Sequence, residues 1–307
     1  MTPDVTSVGS LNLDVTITVA ALPAPGETVL GTSAARAGGG KGGNQAAAAR
    51  AAGASVAMVA RVGEDDAGRL LLEELTRSGI DVGAVARVPG GYSGTATIAV
   101  DSRHGENLII VDPGANGSLE PADVRVDAVR DASVVLAQLE VPVAAVLAAA
   151  EHAGGRFILN PSPAGGWARL PLGLLARVAV LVVNQSELGI LASTETPRGA
   201  QDAAAALRAL GPPCPTIVTL GAAGALVHDG SSLHELPAPS VSPVDTTGAG
   251  DCFCGILAAR LAAGDELLEA ARLATAGAAL ATLAPGARGA LPSEAEIRAA
   301  ADASLVV

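Results

Sequence analysis

Along most of this chain, short apolar runs of strand length alternate with longer runs of helical period. The stretches 55–62, 134–140, 157–160, 178–184 and 216–220 read as strands. Between or after them, 66–78 (DAGRLLLEELTRS, stopped by Gly79), 142–152, 199–210, 249–263, 265–283 and 293–303 read as helices. A helix between two strands returns the chain to the starting edge, so the strands lie parallel. A parallel sheet is covered on both faces, and its ligands sit beyond the carboxyl ends of its strands. The expected fold is therefore α/β: a mainly parallel central sheet with helices on both sides.

The 307 residues fit one large α/β domain, or one domain with an appendage. Half are hydrophobic, yet there are only two Phe, one Tyr and one Trp, so alanine, valine and leucine must fill the core. A net charge of −12 removes a sequence-wide basic footprint for nucleic acid or an anionic membrane. No apolar run approaches the roughly 18 residues of a membrane span. The opening MTPDVTSVGS lacks the basic-then-apolar order of a signal peptide. Cys252 and Cys254 are too close for an ordinary disulfide, and a reducing, cytoplasmic location is expected. The histidines at 104, 152, 228 and 234 have no metal-site spacing.

Two regions break the alternation. Residues 15–31 and 95–111 are strand-rich with no helix between; the second reads as a hairpin with His104-Gly105 near its turn. They form either a small separate sheet that projects as a lid or an antiparallel edge of the main sheet.

The stretch DTTGAGDCFCG, 245–255, carries the sharpest chemical signal. Glycine inside a helix costs about 1 kcal/mol against alanine, so Gly248 and Gly250 serve the turn before the helix. Such a turn bares backbone N–H groups at a helix N-terminus and makes an anion site from Gly248, Ala249 and Gly250. Asp251 lies in the same turn. It either complements the helix dipole, or it takes a proton from a hydroxyl that attacks a phosphoryl group held by those amides. Two other glycine clusters fail better-known tests. GGGKGGNQ (38–45) has no Ser or Thr after its lysine, and GSLNLD (9–14) is no dinucleotide fingerprint.

Several polar residues stand where apolar ones are expected. Asn12 and Asp14 share a face, Asn44 opens a helix as an N-cap or as a ligand, and Glu140 ends a strand. Brought to one sheet edge, these four suit a polyhydroxylated ligand, and Gly39 and Gly40 let it approach the backbone. Asn184 and Glu187 read as a capping box or as a hydrated Mg²⁺ site. Thr219, Gly221 and Gly224 lie in a strand-end turn that either holds nucleotide groups or is only tight.

Taken in order, GSLNLD (9–14), PGET (25–28), GGKGGNQA (39–46), NPSPA (160–164), NQSE (184–187), TLGAAG (219–224) and DTTGAGD (245–251) resemble the motifs of the ribokinase-like sugar kinase family, the phosphofructokinase B-type carbohydrate kinases. The form of the lysine-containing segment is most similar to that of the ribokinases within it. The resemblance implies a three-layer α/β/α sandwich, with a core of 1–14, 33–93 and 115–307 and a β-sheet lid of 15–32 and 94–114 that pairs two subunits as a homodimer. It implies ATP-dependent phosphorylation of the 5-hydroxyl of D-ribose, with Asp251 as general base and Gly248, Ala249 and Gly250 as anion hole. Asn12, Asp14, Gly39, Gly40, Lys41, Asn44, Glu140 and Asp251 would bind the sugar. Asn184 and Glu187 would serve ATP and Mg²⁺, and Thr219, Gly221, Gly224 and Gly250 would line the nucleotide site. A K⁺ ion would be held by Asp245, Thr247 and carbonyls near Ala281, Ala284 and Gly286. Where the family usually places a serine ligand for that ion, this chain has Ala290. The alternatives are a relative acting on 2-deoxyribose, fructose or adenosine, and a non-catalytic sugar-binding regulator.

Overall fold

The computed structural model describes residues 2–103, 106–164 and 171–304; the expected turn at His104-Gly105 lies outside them. The strands are β1 (Val5–Val8), β2 (Asn12–Val19), β3 (Gly31–Gly39), β4 (Val56–Gly63), β5 (Asp81–Val88), β6 (Gly94–Asp101), β7 (Asn107–Asp112), β8 (Val134–Gln138), β9 (Arg156–Asn160), β10 (Val178–Asn184), β11 (Thr216–Thr219), β12 (Ala225–His228) and β13 (Leu233–Leu236). The helices are α1 (Lys41–Ala51), α2 (Asp66–Arg77), α3 (Asp127–Asp131), α4 (Val143–His152), α5 (Leu172–Leu175), α6 (Gln185–Ala192), α7 (Ala200–Leu210), α8 (Ala249–Ala262), α9 (Leu267–Ala281) and α10 (Glu294–Ala303).

Nine strands form the main sheet in the order β13-β12-β11-β10-β9-β8-β1-β4-β5. Every neighbouring pair from β11 to β5 is parallel; β12 and β13 add an antiparallel edge. Strand periodicity of two splits the core cleanly. Val134 and Leu136 of β8, with Val180 and Val182 of β10, face one apolar layer, which contains residues of α1, α8, α9 and α10. Val135 and Ala137, with Leu181 and Val183, face the other, against α4, α6 and α7. The result is a three-layer sandwich. Both phenylalanines, Phe157 and Phe253, are fully buried, one on each side. Alanine, valine and leucine supply most of the rest, each buried Val or Leu contributing about 1.5–3 kcal/mol of transfer free energy.

Helix α2 shows how local sequence sets an element. Asp65 caps it by accepting from the Gly68 N–H at 2.8 Å, Leu71, Leu72 and Leu75 face the core, and Arg69 pairs outward with Glu73 at 3.0 Å. By contrast α8 is buried on nearly all sides from Asp251 to Leu261, as a central helix of a packed layer must be.

The two strand-rich regions form a separate four-stranded sheet, β3-β2-β6-β7. It is mixed: β2 runs parallel to β6, while β3 and β7 run antiparallel to their neighbours. Its first two strands reach further than 15–32 at both ends, whereas β6 and β7 stay within 94–114. Asn12 to Asp14 begin β2, and β3 occupies Gly31–Gly39, a run of alanine and glycine whose one β-branched residue, Thr32, carries too weak a strand signal to read.

Candidate active site

The carboxyl ends of five adjacent strands bring a row of polar groups to one edge. Register pairs Thr219 with Asn184, and Asn160 with Gln138; Gly9 and Ser10 follow directly after β1 beside them. Glu140 is not the last strand residue that the apolar run suggests. Strand β8 stops at Gln138, and Glu140 lies two residues beyond it, half-buried.

That position lets Glu140 act on the start of α1. Its Oε2 accepts from the Lys41 N–H at 3.1 Å and from the Ser10 hydroxyl. Gly40 is the residue before this helix, with φ of 81°, a region that costs glycine nothing. Asn44 is therefore no N-cap. It sits one turn inside α1, where its own N–H bonds Gly40 O, and its side chain is free to reach across to α8.

Asp251 stands in the first turn of α8, 7% exposed. Each carboxylate oxygen takes an amide donor from α1: Asn44 Nδ2 to Oδ2 and Gln45 Nε2 to Oδ1, both at 3.0 Å. Gln45 is fixed in turn by Gln138, whose Nε2 donates to Gln45 Oε1 at 2.6 Å, and by Asn160, whose Oδ1 accepts from Gln45 Nε2 at 3.2 Å. The two helices approach closely because Gly255 of α8 has no Cβ to strike Gln45 O and Ala48. The turn before α8 depends on Gly248, whose φ is 76° and whose Cβ would lie 2.6 Å from that of Ala287.

Asn12 and Asp14 begin β2, and Asp14 lies near enough to Asp251 to feel its charge. Asn12 Oδ1 accepts from Asn116 Nδ2 at 2.7 Å. Gly39 has no Cβ because the Asp14 carboxylate occupies that space. Burial pushes Asp14 up to about 6; Arg288 opposes the shift, while Glu140, Asp251 and Glu74 add to it. Lys41 has its pKa raised although burial works the other way, because Asp251, Glu140 and Glu187 surround it with negative charge.

Two cavities meet here. The smaller is lined by Lys41, Asn160, Asn184, Glu187, Gly248 and Asp251, among others. The larger, about 370 Å³, is lined by Gly221, Gly224, Ala249, Phe253, Thr275 and Thr282, among others. Thr219 and Gly250 line both. Asn184 and Glu187 do form a capping box: Asn184 Oδ1 accepts from the Glu187 N–H at 2.8 Å, and Glu187 Oε2 from the Asn184 N–H at 2.9 Å. Both residues still line the smaller cavity, so capping does not withdraw them from it.

Asp245 accepts from the N–H groups of Thr247 at 2.9 Å and Gly286 at 2.8 Å. Burial works against its ionisation, yet these bonds hold the carboxyl below the usual range. The Val244 and Asp245 N–H groups bond Thr282 O, which lays the segment holding Ala281, Ala284, Gly286 and Ala290 beside them. One carboxylate and a set of backbone carbonyls is a donor set suited to a hard monovalent cation; Ala290 contributes no side-chain oxygen. Among the described residues, no group of three His, Cys, Asp or Glu is placed to hold a metal.

A family model described as "pfkB family carbohydrate kinase" matches residues 2–294. The chain belongs to the pfkB family of carbohydrate kinases. This family member is 34% identical over 295 residues to the ribokinase of Bacillus subtilis, covering 94% of this chain and 96% of that one. Among solved structures, a ribokinase from Thermotoga maritima superposes with a TM-score of 0.86 at 31% identity, over 98% of this chain and 99% of that one. An Arabidopsis thaliana ribokinase complexed with ribose and ATP superposes with a TM-score of 0.87 at 30% identity, over the same shares.

In this carbohydrate kinase, reading the sequence missed residues that shape the site: Ser10, Gln45, Glu74, Asn116, Gln138, Asn160 and Arg288. Gln138 could have been found, since a glutamine inside VVLAQ, 0% exposed, demands a partner. Arg288, in a loop with no motif, gave no such signal.

Proposed function

We propose that this chain is an ATP-dependent ribokinase that transfers the γ-phosphoryl group of ATP to the 5-hydroxyl of D-ribose. One observation carries the reading: Asp251, its oxygens held by two amides of α1, faces a cavity that shares Gly250 and Thr219 with the larger cleft. ATP lies in that cleft along Thr219, Gly221 and Gly224. The sugar lies among Asn12, Asp14, Gly39, Gly40, Lys41, Asn44 and Glu140, whose amides and carboxylates suit hydroxyl groups. The ribokinase relatives, one of them complexed with ribose and ATP, support this choice of substrate.

Asp251 accepts the proton of the 5-hydroxyl as its oxygen attacks the γ-phosphorus in line with the departing ADP. The N–H groups at Gly248, Ala249 and Gly250 face the charge that develops on the moving phosphoryl oxygens, with Lys41 adding a positive charge. Fixed donors of this kind need no reorientation during transfer. Asn184 and Glu187 would hold Mg²⁺ through its waters, and Mg²⁺ would neutralise phosphate charge. Asp245, Thr247 and the carbonyls of 281–290 would hold K⁺, which would add positive charge behind the anion turn. The small sheet covers the sugar as a lid and pairs with a second copy through β7, whose Leu108, Ile109, Ile110 and Val111 are all exposed. The chain's three cysteines are free thiols, in keeping with a cytoplasmic enzyme.

ADP release from Mg-ATP, measured with a panel of sugars and nucleosides, tests the reading. D-ribose should give the highest kcat/KM. Activity confined to fructose, 2-deoxyribose or adenosine moves the substrate and keeps the chemistry. Ribose binding without turnover on any acceptor makes the chain a sugar-binding regulator instead.

A further inference from the structure

Arg288 reaches the underside of the sugar pocket from the loop that follows α9. Its side chain is 13% exposed, and it donates in three directions. Nε bonds Asn44 Oδ1 at 2.9 Å, Nη1 bonds Glu74 Oε1 at 2.9 Å, and Nη2 bonds Gly39 O at 3.2 Å. Those acceptors belong to α1, α2 and β3. Space is kept for it by two glycines: a Cβ on Gly38 would lie 3.0 Å from Nη1, and one on Gly43 2.5 Å from Nη2.

A carboxamide has nearly the same shape in its two orientations, so its neighbours decide which end points where. At Asn44 the decision falls to Arg288. With Oδ1 engaged by Nε, Nδ2 must face Asp251 Oδ2, and it does so at 3.0 Å. The reverse orientation would set an oxygen against a carboxylate. A buried guanidinium is costly unless it is fully paired, and an isolated ion pair in its place would gain little stability. Here the pairing also carries charge into the site. Asp14, Glu74, Glu140 and Asp251 crowd together, and among the described residues Arg288 and Lys41 are the cations that face them.

We propose that Arg288 is a positioning residue for phosphoryl transfer: it locks the Asn44 amide in the orientation that donates to Asp251, and it supplies positive charge to the carboxylates under the sugar. The proposal deepens the reading of Asp251 as general base and rests on it. Lysine cannot substitute, because a single ammonium does not reproduce the planar fork that meets three acceptors at once.

The test is a double-mutant cycle between Arg288→Gln and Asn44→Ala, run on whichever hydroxyl compound the parent enzyme phosphorylates best. The parent's preference judges the ribose assignment; the cycle judges Arg288. R288Q should lower kcat by about 10- to 100-fold, the range expected for one lost charged contact, with KM for ATP changed less than about twofold. Its acid limb of kcat/KM should move to higher pH, since Asp14 then faces Glu140, Asp251 and Glu74 without Arg288. R288K should restore the acid limb and not kcat. Adding R288Q to N44A should cost little more, because the route through Asn44 is already gone. Independent, multiplicative losses in the cycle would overturn the proposal. So would an R288Q enzyme whose ATP and sugar parameters fall together with its melting temperature, the mark of a mere brace.

Discussion

Asn44 Nδ2 lies 3.0 Å from Asp251 Oδ2, a bond between the first turns of two helices 207 residues apart in sequence. With Gln45 on the other oxygen, it aims the carboxylate at the cavity rather than at the core. Replacing Asp251 by Asn should lower kcat by about 10²–10⁴-fold, the usual worth of a positioned base, while calorimetry still detects sugar binding. Turnover within tenfold of the parent would remove Asp251 from that role.

Asp14, held near 6, titrates within the range of an assay. Sugar hydroxyls donate to its ionised form, so kcat/KM for the sugar should fall below about pH 6 while kcat/KM for ATP holds. For stability the sign is the opposite. The folded state keeps a proton that the unfolded chain releases near 3.8, so this group's contribution declines as pH rises from about 4 to 6. Asp14→Asn should therefore melt above the parent at pH 8 by about 1 kcal/mol after allowance for solvent screening, and the gap should close near pH 4.

Gly248→Ala forces a side chain into a left-handed turn and against Ala287. A cost of about 1–3 kcal/mol in stability is expected from the backbone alone. The kinetic signature should be a fall in kcat larger than any rise in sugar KM, because in the proposed function the anion turn meets the phosphoryl group and not the ribose.

Potassium should raise kcat over sodium at equal ionic strength. Ala290→Ser supplies the missing hydroxyl and should lower the potassium concentration that gives half-maximal activation. An identical response in both enzymes would separate Ala290 from the cation.

Ile110 is 62% exposed on β7. Ile110→Asp should leave the far-UV circular dichroism unchanged and shift the mass measured by light scattering from that of a dimer toward that of one chain. A parent enzyme that is already monomeric would end the pairing proposal.

Much of this architecture was legible in the sequence, because parallel strands and their crossover helices carry strong, opposite periodicities. The limits of α2, β9, β10 and α8 fall within one residue of those read from pattern alone. What escaped notice was set by tertiary contact. Strand β3 is held by pairing with β2, not by its alanines and glycines. Asn44 looks like a cap until Gly40 is seen to hold that position. Glu140 looks like a strand end until Ser10 and the Lys41 N–H claim it. The motif residues around Asp251 announced themselves, whereas Gln45, Gln138 and Arg288 matter only through the neighbours that folding brings to them.

Gly255 has one more consequence. Where α8 touches the backbone of α1 without a side chain between, neither helix can shift without opening a gap between two closely packed helices. The Asp251 carboxylate and its two amide donors are thus mounted on a single stiff block. The small sheet is tied to the body by fewer buried apolar contacts, and its solvent-facing strands belong to the parts of a protein that open first. Amide hydrogens of α1 and α8 should exchange with solvent only when the whole domain unfolds, while those of β3 and β7 exchange far sooner. If the small sheet is the proposed lid, that difference lets the cover open while Asp251 and its donors keep their alignment.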